Sequence, residues 1–69
     1  MNAIEVSING APERLAATTT VAELVALRGL AGKRIAIERN GEIVPRSQHA
    51  ATRLAAADRI EIVVAVGGG

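Results

Sequence analysis

Apolar and polar side chains alternate at the start of the chain, with Ile4, Val6 and Ile8 interleaved with Glu5, Ser7 and Asn9. A period of two is that of a half-buried strand. Asn9-Gly10 follows. Both residues tolerate positive φ, and Asn-Gly is the strongest short-range hairpin signal. A return strand is therefore predicted over residues 13–17.

The period then changes. Thr20-Val21-Ala22-Glu23 reads as a capping box, in which the threonine hydroxyl and the glutamate carboxylate each satisfy an orphan amide at a helix start. Val21, Leu24, Val25 and Arg28 fall on one helical face, joined by Leu27, and Gly29 and Gly32 supply the stop. Period two returns at Ile35 and Ile37, set against Ala36 and Glu38, and ends at a second Asn-Gly pair, Asn40-Gly41. Ile43 and Val44 make a brief strand that Pro45 ends or pushes to an edge. Residues 46–57 form a connecting segment, with Ser47 as cap of a short helical turn and Leu54 as core anchor. Asp58 marks a turn. Residues 59–66 read as the last strand, with Ile60, Ile62, Val64 and Val66 on the core face and Val63 and Ala65 on the other.

A hairpin followed by a helix that crosses to further strands predicts an α+β domain. Its mixed sheet has four to five strands, with one main helix packed on one face. The last strand is expected beside the first, in parallel and central. The domain is assigned to residues 1–66, and residues 67–69 to a flexible glycine tail.

Composition narrows the chemistry. At 69 residues the chain is one domain near the lower limit for a self-sufficient core. Its 49% hydrophobic content contains no aromatic residue, so the core is aliphatic. Eight basic and seven acidic residues nearly cancel. That balance, without aromatic platforms, disfavours nucleic-acid binding. The absence of cysteine excludes a disulfide scaffold and thiolate metal sites. Neither a leader pattern nor a long apolar run is visible, so a cytoplasmic protein without membrane contact is expected. His49 has no acid or thiol neighbour in sequence and is expected on the surface of the connecting segment. Lys33-Arg34 is read as solvated, and Arg39, Arg46, Arg53 and Arg59 as scattered surface cations. Neither paired carboxylates nor a Ser/His/Asp set is visible, which makes an independent enzyme the weakest reading.

What remains is the end of the chain, Val66-Gly67-Gly68-Gly69. A terminal carboxylate on a side-chain-free stalk is a group that a partner enzyme can reach. Three extended residues span about 10 Å, and glycine accepts whatever φ each pocket demands. Gly67 and Gly68 would thread into partner sites, and the Gly69 carboxylate is the candidate reactive group. Val63 and Ala65, outward-facing just before the tail, are candidate docking residues.

At this point the residues resemble a known family. The segment Asn40-Gly41-Glu42-Ile43-Val44-Pro45-Arg46 resembles the Asn-Gly-x-Ile/Val-Val-Pro-Arg stretch of the sulfur carrier protein of thiamine biosynthesis. Asp58-Arg59-Ile60-Glu61-Ile62-Val63 resembles the strand before that family's terminal Gly-Gly. The resemblance spans essentially the whole chain and implies the ubiquitin-like β-grasp fold. The chain departs from the family pattern in having His49 where an aromatic residue is common, and three terminal glycines where two suffice. The resemblance adds Arg46 to the docking candidates. It further implies that the Gly69 carboxylate is adenylated with ATP by an E1-like adenylating enzyme. A persulfide donor such as a cysteine desulfurase would then convert it to a thiocarboxylate, from which a thiazole synthase draws sulfur for the thiazole ring. The protein would be a co-substrate, not an enzyme, with no bound cofactor or metal. Two alternatives stay open: a carrier resembling the small subunit of molybdopterin synthase, and a β-grasp binding module with an inert tail. A ubiquitin-like protein modifier is a further relative.

Overall fold

Both Asn-Gly pairs make the predicted reversals. Asn9 and Asn40 sit at φ 51° and 53°, and Gly10 and Gly41 follow at 86° and 87°. Two successive residues in this left-handed region define the tight hairpin turn that matches strand twist. The computed structural model describes residues 2–65.

The elements run β1 (Ala3–Ile8), β2 (Ala11–Ala16), α1 (Val21–Leu27), β3 (Ile35–Arg39), β4 (Glu42–Ile43), a single 3-10 turn (Arg46–Gln48) and β5 (Arg59–Val64). They form one five-stranded sheet in the order β2-β1-β5-β3-β4. β5 lies parallel to β1 and antiparallel to β3, so the last strand is central, as expected. β2 starts two residues earlier than its predicted span. Its register against β1, Ser7↔Pro12 and Ile8↔Ala11, puts the backbone of Pro12 on the open edge of the sheet. The amide that proline lacks would have faced solvent there, which lets proline sit inside this edge strand.

The helix has its predicted start. Thr20 accepts from the Glu23 amide at 3.1 Å, and the Glu23 carboxylate accepts from the Thr20 amide at 2.9 Å. The next two orphan amides are taken by the connecting segment, Val21 donating to the Thr52 carbonyl and Ala22 to that of His49. The helix end is thus sealed both locally and from across the chain. Val21, Leu24 and Val25 go into the core with Val6, Ile8, Ile37, Leu54, Ile60 and Ile62. Every member of this cluster is aliphatic, and Leu54 is the anchor of its segment.

Four local expectations change. Leu27 is 72% exposed, because the helix ends with it and it stands to one side of the Val21/Leu24/Val25 stripe. Val64, expected on the core face, is 41% exposed where β5 outruns β1. Val44 lies outside β4 but still packs against the core, while Ile43 points out at 60% exposure. Ser47 does not cap the short turn; Pro45 occupies the cap position without a side-chain bond. No helix among the described residues is long and apolar enough to cross a membrane. Val66, expected on the core face, and the glycine tail at 67–69 lie outside the described residues.

Candidate functional site

The chain end follows β5 in the sequence, so the site begins with how that strand is held. Its entry is fixed by Asp58, which is 5% exposed. The Asp58 carboxylate accepts from Arg39 Nε at 2.7 Å, Asn40 Nδ2 at 3.0 Å and the Ala55 amide at 2.8 Å. Burial pushes this carboxyl up, but the Ala55 amide, the Asn40 side chain and the Arg39 guanidinium outweigh it and hold the group below its ordinary value.

The two turn asparagines then grip β5 from opposite sides. Asn40 Oδ1 accepts from the Arg59 amide, and Asn9 Oδ1 from the Ile62 amide, both at 2.8 Å. Asn9 Nδ2 also donates to the Ile62 carbonyl at 3.4 Å. Each asparagine therefore turns the chain and supplies a rung to the central strand. Sequence reading found the turns and missed the rungs; the choice of Asn over Asp or Gly at both turns was the available signal. Asp58, read only as a turn residue, is likewise the hub of this end of the sheet.

Beyond Ile62 the strand is held from one side. Ile35 pairs with Val64, and the Ala65 amide donates to the Arg34 carbonyl at 2.9 Å. This is the root of the tail. Val63 is 60% exposed, and Ala65 is also exposed, as anticipated for outward positions. Val63 faces Ala36 across the strands, and one rung back Glu61 faces Glu38, which in turn faces Ile43. The outer sheet face thus joins apolar Val63, Ala36 and Ile43 to two carboxylates, and Ile43 was not among the anticipated docking residues.

Arg46 lies on the helix side of the root, where its Nη2 donates to the Lys33 carbonyl at 3.1 Å. His49 is half-buried, against expectation, with Nε2 3.1 Å from the Val44 carbonyl. That bond tacks the connecting segment to the end of the β3–β4 hairpin. Arg39 is likewise no free surface cation, being paired with Asp58. Among the described residues no group of three or more His, Cys, Asp or Glu side chains is placed to hold a metal ion. The candidate reactive residue Gly69, with Gly67 and Gly68, lies outside the described residues.

Comparison with known proteins places the chain. Two curated relatives are thiazole synthases. That of Paramagnetospirillum magneticum is 40% identical over 62 residues, covering 90% of this chain and 19% of the relative. That of Magnetococcus marinus is 36% identical over 66 residues, covering 96% of this chain and 20% of the relative. The chain therefore spans about a fifth of the length of these relatives. Among solved structures, the thiamine biosynthesis protein (ThiS) of Geobacter metallireducens superposes with a TM-score of 0.80 at 29% identity, over 96% of this chain and 100% of that one. One helix on a five-stranded mixed sheet is thus the β-grasp arrangement of that protein. A family model for the ThiS family matches residues 2–69, and the chain belongs to that family.

Proposed function

We propose that this protein carries sulfur on the carboxylate of Gly69 for assembly of the thiazole ring of thiamine. The observation that carries the reading is the family match, which runs through Gly69. The central strand β5, bonded by Asn40 at Arg59 and by Asn9 at Ile62, supports it by fixing the strand that leads to that terminus in the sequence.

The chemistry follows from what a carboxylate lacks. It is a poor electrophile, so a carboxylate oxygen attacks the α-phosphorus of ATP. Pyrophosphate leaves and an acyl-adenylate forms. A persulfide sulfur then attacks the carbonyl carbon and AMP departs. Reductive cleavage of the S–S bond by a thiol leaves a thiocarboxylate on Gly69. ATP belongs to the adenylating enzyme, and the persulfide to a donor such as a cysteine desulfurase. This chain holds no cofactor of its own and acts as a co-substrate in the cytoplasm, where ATP is supplied. Gly67 and Gly68 thread the terminus into each active site, and the exposed Val63 and Ala65 meet the rim of the enzyme. Arg46 serves that contact from the helix side.

The thiazole synthase partner draws support from the relatives. In both, a segment similar to this chain accounts for only about a fifth of a longer polypeptide named thiazole synthase. Joining a carrier to its acceptor raises their effective concentration.

Intact mass spectrometry on protein from thiamine-starved cells tests the reading. The expected result is a mass gain of one sulfur for one oxygen, localised to Gly69 and lost on removal of Gly68-Gly69. An unmodified mass that persists after incubation with ATP, a sulfur donor and the adenylating enzyme would reject it. Activity surviving the truncation would favour a binding module with an inert tail.

A further inference from the structure

A groove of about 250 Å³ lies between α1 and the start of β3, on the opposite side of the sheet from Val63. Ala22, Val25, Leu30 and Ile35 line its floor, with Lys33, Arg46 and the half-buried His49 beside them. Val25 is a core residue, and Leu30 and Ile35 pack against the core, so the floor is apolar and fixed. The rim is also built. The Lys33 amide closes a turn onto the Leu30 carbonyl at 3.0 Å, with Gly32 at φ 83°. The bond from Arg46 to the Lys33 carbonyl brings the two cationic residues to the same lip. Among the described residues, the ion pairs within 4.0 Å are Arg28–Glu13 and Arg39–Asp58, and neither uses Lys33, Arg34 or Arg46.

The groove adjoins the root of the tail. Ile35 on its floor is the cross-strand partner of Val64, and the carbonyl next to Lys33 in sequence, that of Arg34, accepts the Ala65 amide. Four residues separate Ala65 from the terminus, a reach of about 13 Å when fully extended. An enzyme that works on Gly69 must bring its active-site mouth within that distance of Ala65. Its surface therefore comes close to the root, and to the lip of the groove beside it.

We propose that the groove receives a segment of the enzyme that adenylates the terminus. One apolar side chain of that segment sits on Ala22, Val25, Leu30 and Ile35, and flanking carboxylates pair with Lys33 and Arg46. This rests on the carrier reading. An apolar floor under a cationic lip matches an amphipathic acidic segment better than a small anion, which would leave the floor unfilled. The enzyme then holds the carrier from both sides of the sheet, on Val63 and in the groove.

The test is pyrophosphate release by the adenylating enzyme of the source organism, with wild-type carrier, Lys33→Glu and Lys33→Gln as substrates. The Lys33 side chain has no hydrogen bond or ion pair among the described residues, so melting curves should coincide. Removing a rim charge acts on association and its salt dependence. The KM for the carrier should therefore rise about tenfold in Lys33→Glu and about threefold in Lys33→Gln, with kcat unchanged and a shallower salt dependence of KM in both. Unchanged KM in both variants, with the wild type turning over, overturns the groove assignment alone. Loss of wild-type self-association in Lys33→Glu, seen by sedimentation, would assign the groove to a second copy and also overturn it. No release with the wild type overturns the assignment together with the carrier reading.

Discussion

Asn9 pairs with Ile62 through its side chain as a strand residue pairs through its backbone, accepting the Ile62 amide at 2.8 Å and donating to its carbonyl at 3.4 Å. β1 has already turned into the hairpin at this point, so the side-chain amide extends the β1–β5 ladder by one rung. The strand that bears the terminus is thereby held up to Ile62 on both sides. Replacing Asn9 by Gly keeps the turn, because glycine accepts the φ of 51° found there. The variant removes both bonds and should lose about 1–2 kcal/mol in urea unfolding. Asn9→Ala should lose about 1 kcal/mol more, from the left-handed backbone. The Ile62 amide should exchange with solvent faster in both. Equal stability of Asn9→Gly and wild type would deny the rung any energetic role.

Asp58 is expected to make the fold sensitive to acid. Its folded pKa is lowered, so ionised Asp58 stabilises the fold above the unfolded value of about 3.9, and that contribution disappears as pH falls through the lower folded value. Stability should therefore drop on acidification below about pH 4, and Asp58→Asn should flatten that slope while lowering stability at pH 7 by about 2 kcal/mol. Urea unfolding from pH 7 to pH 2.5 measures both effects. Parallel pH profiles for wild type and variant would show that the Arg39–Asp58–Asn40 cluster carries no linkage.

Much of this architecture was legible because it is local or periodic. The alternation at Ile4–Ile8 and Ile60–Ile62, the Asn-Gly turns and the capping box each occupy a few adjacent residues. What escaped is long-range. The rungs of Asn9 and Asn40 reach 53 and 19 residues along the chain, and a polar side chain inserted into a distant ladder has no period. Leu27 was recoverable: at 100° per residue it stands roughly 110° from the centre of the Val21/Leu24/Val25 stripe, on the flank of the helix. Val64 was not, since its parity is inward and it lies where β5 runs past the end of β1. Of the candidate site, the exposure of Val63 on the outer face followed from parity alone. The meeting of Arg46 with Lys33 required the connecting segment to fold back over the helix start.

The capping box should contribute measurably although the connecting segment also seals the helix. Thr20→Ala removes the acceptor of the Glu23 amide but leaves Val21 and Ala22 bonded to Thr52 and His49. A loss of about 1 kcal/mol is expected in chemical unfolding. A loss beyond about 2 kcal/mol would mean that the Thr20 side chain also holds the bridge to Arg53.

The docking role of Val63 can be separated from its structural one because the side chain is 60% exposed and faces only Ala36 across the strands. A lysine there keeps the strand and places a cation two residues from Glu61, so stability should change by no more than about 0.5 kcal/mol. If the adenylating enzyme covers the root of the tail, the same lysine buries a charge in an apolar contact, a cost that falls on the complex alone. Val63→Lys should then raise the KM for the carrier by about tenfold or more with the melting temperature unchanged. Ile43→Lys tests the extent of the contact. A smaller effect there confines the enzyme to the rungs nearest Ala65, and an equal one extends it across the outer face to β4. Full adenylation of Val63→Lys would mean that the enzyme takes the glycine tail without touching this face, leaving the helix side as the one surface next to the root for it to hold.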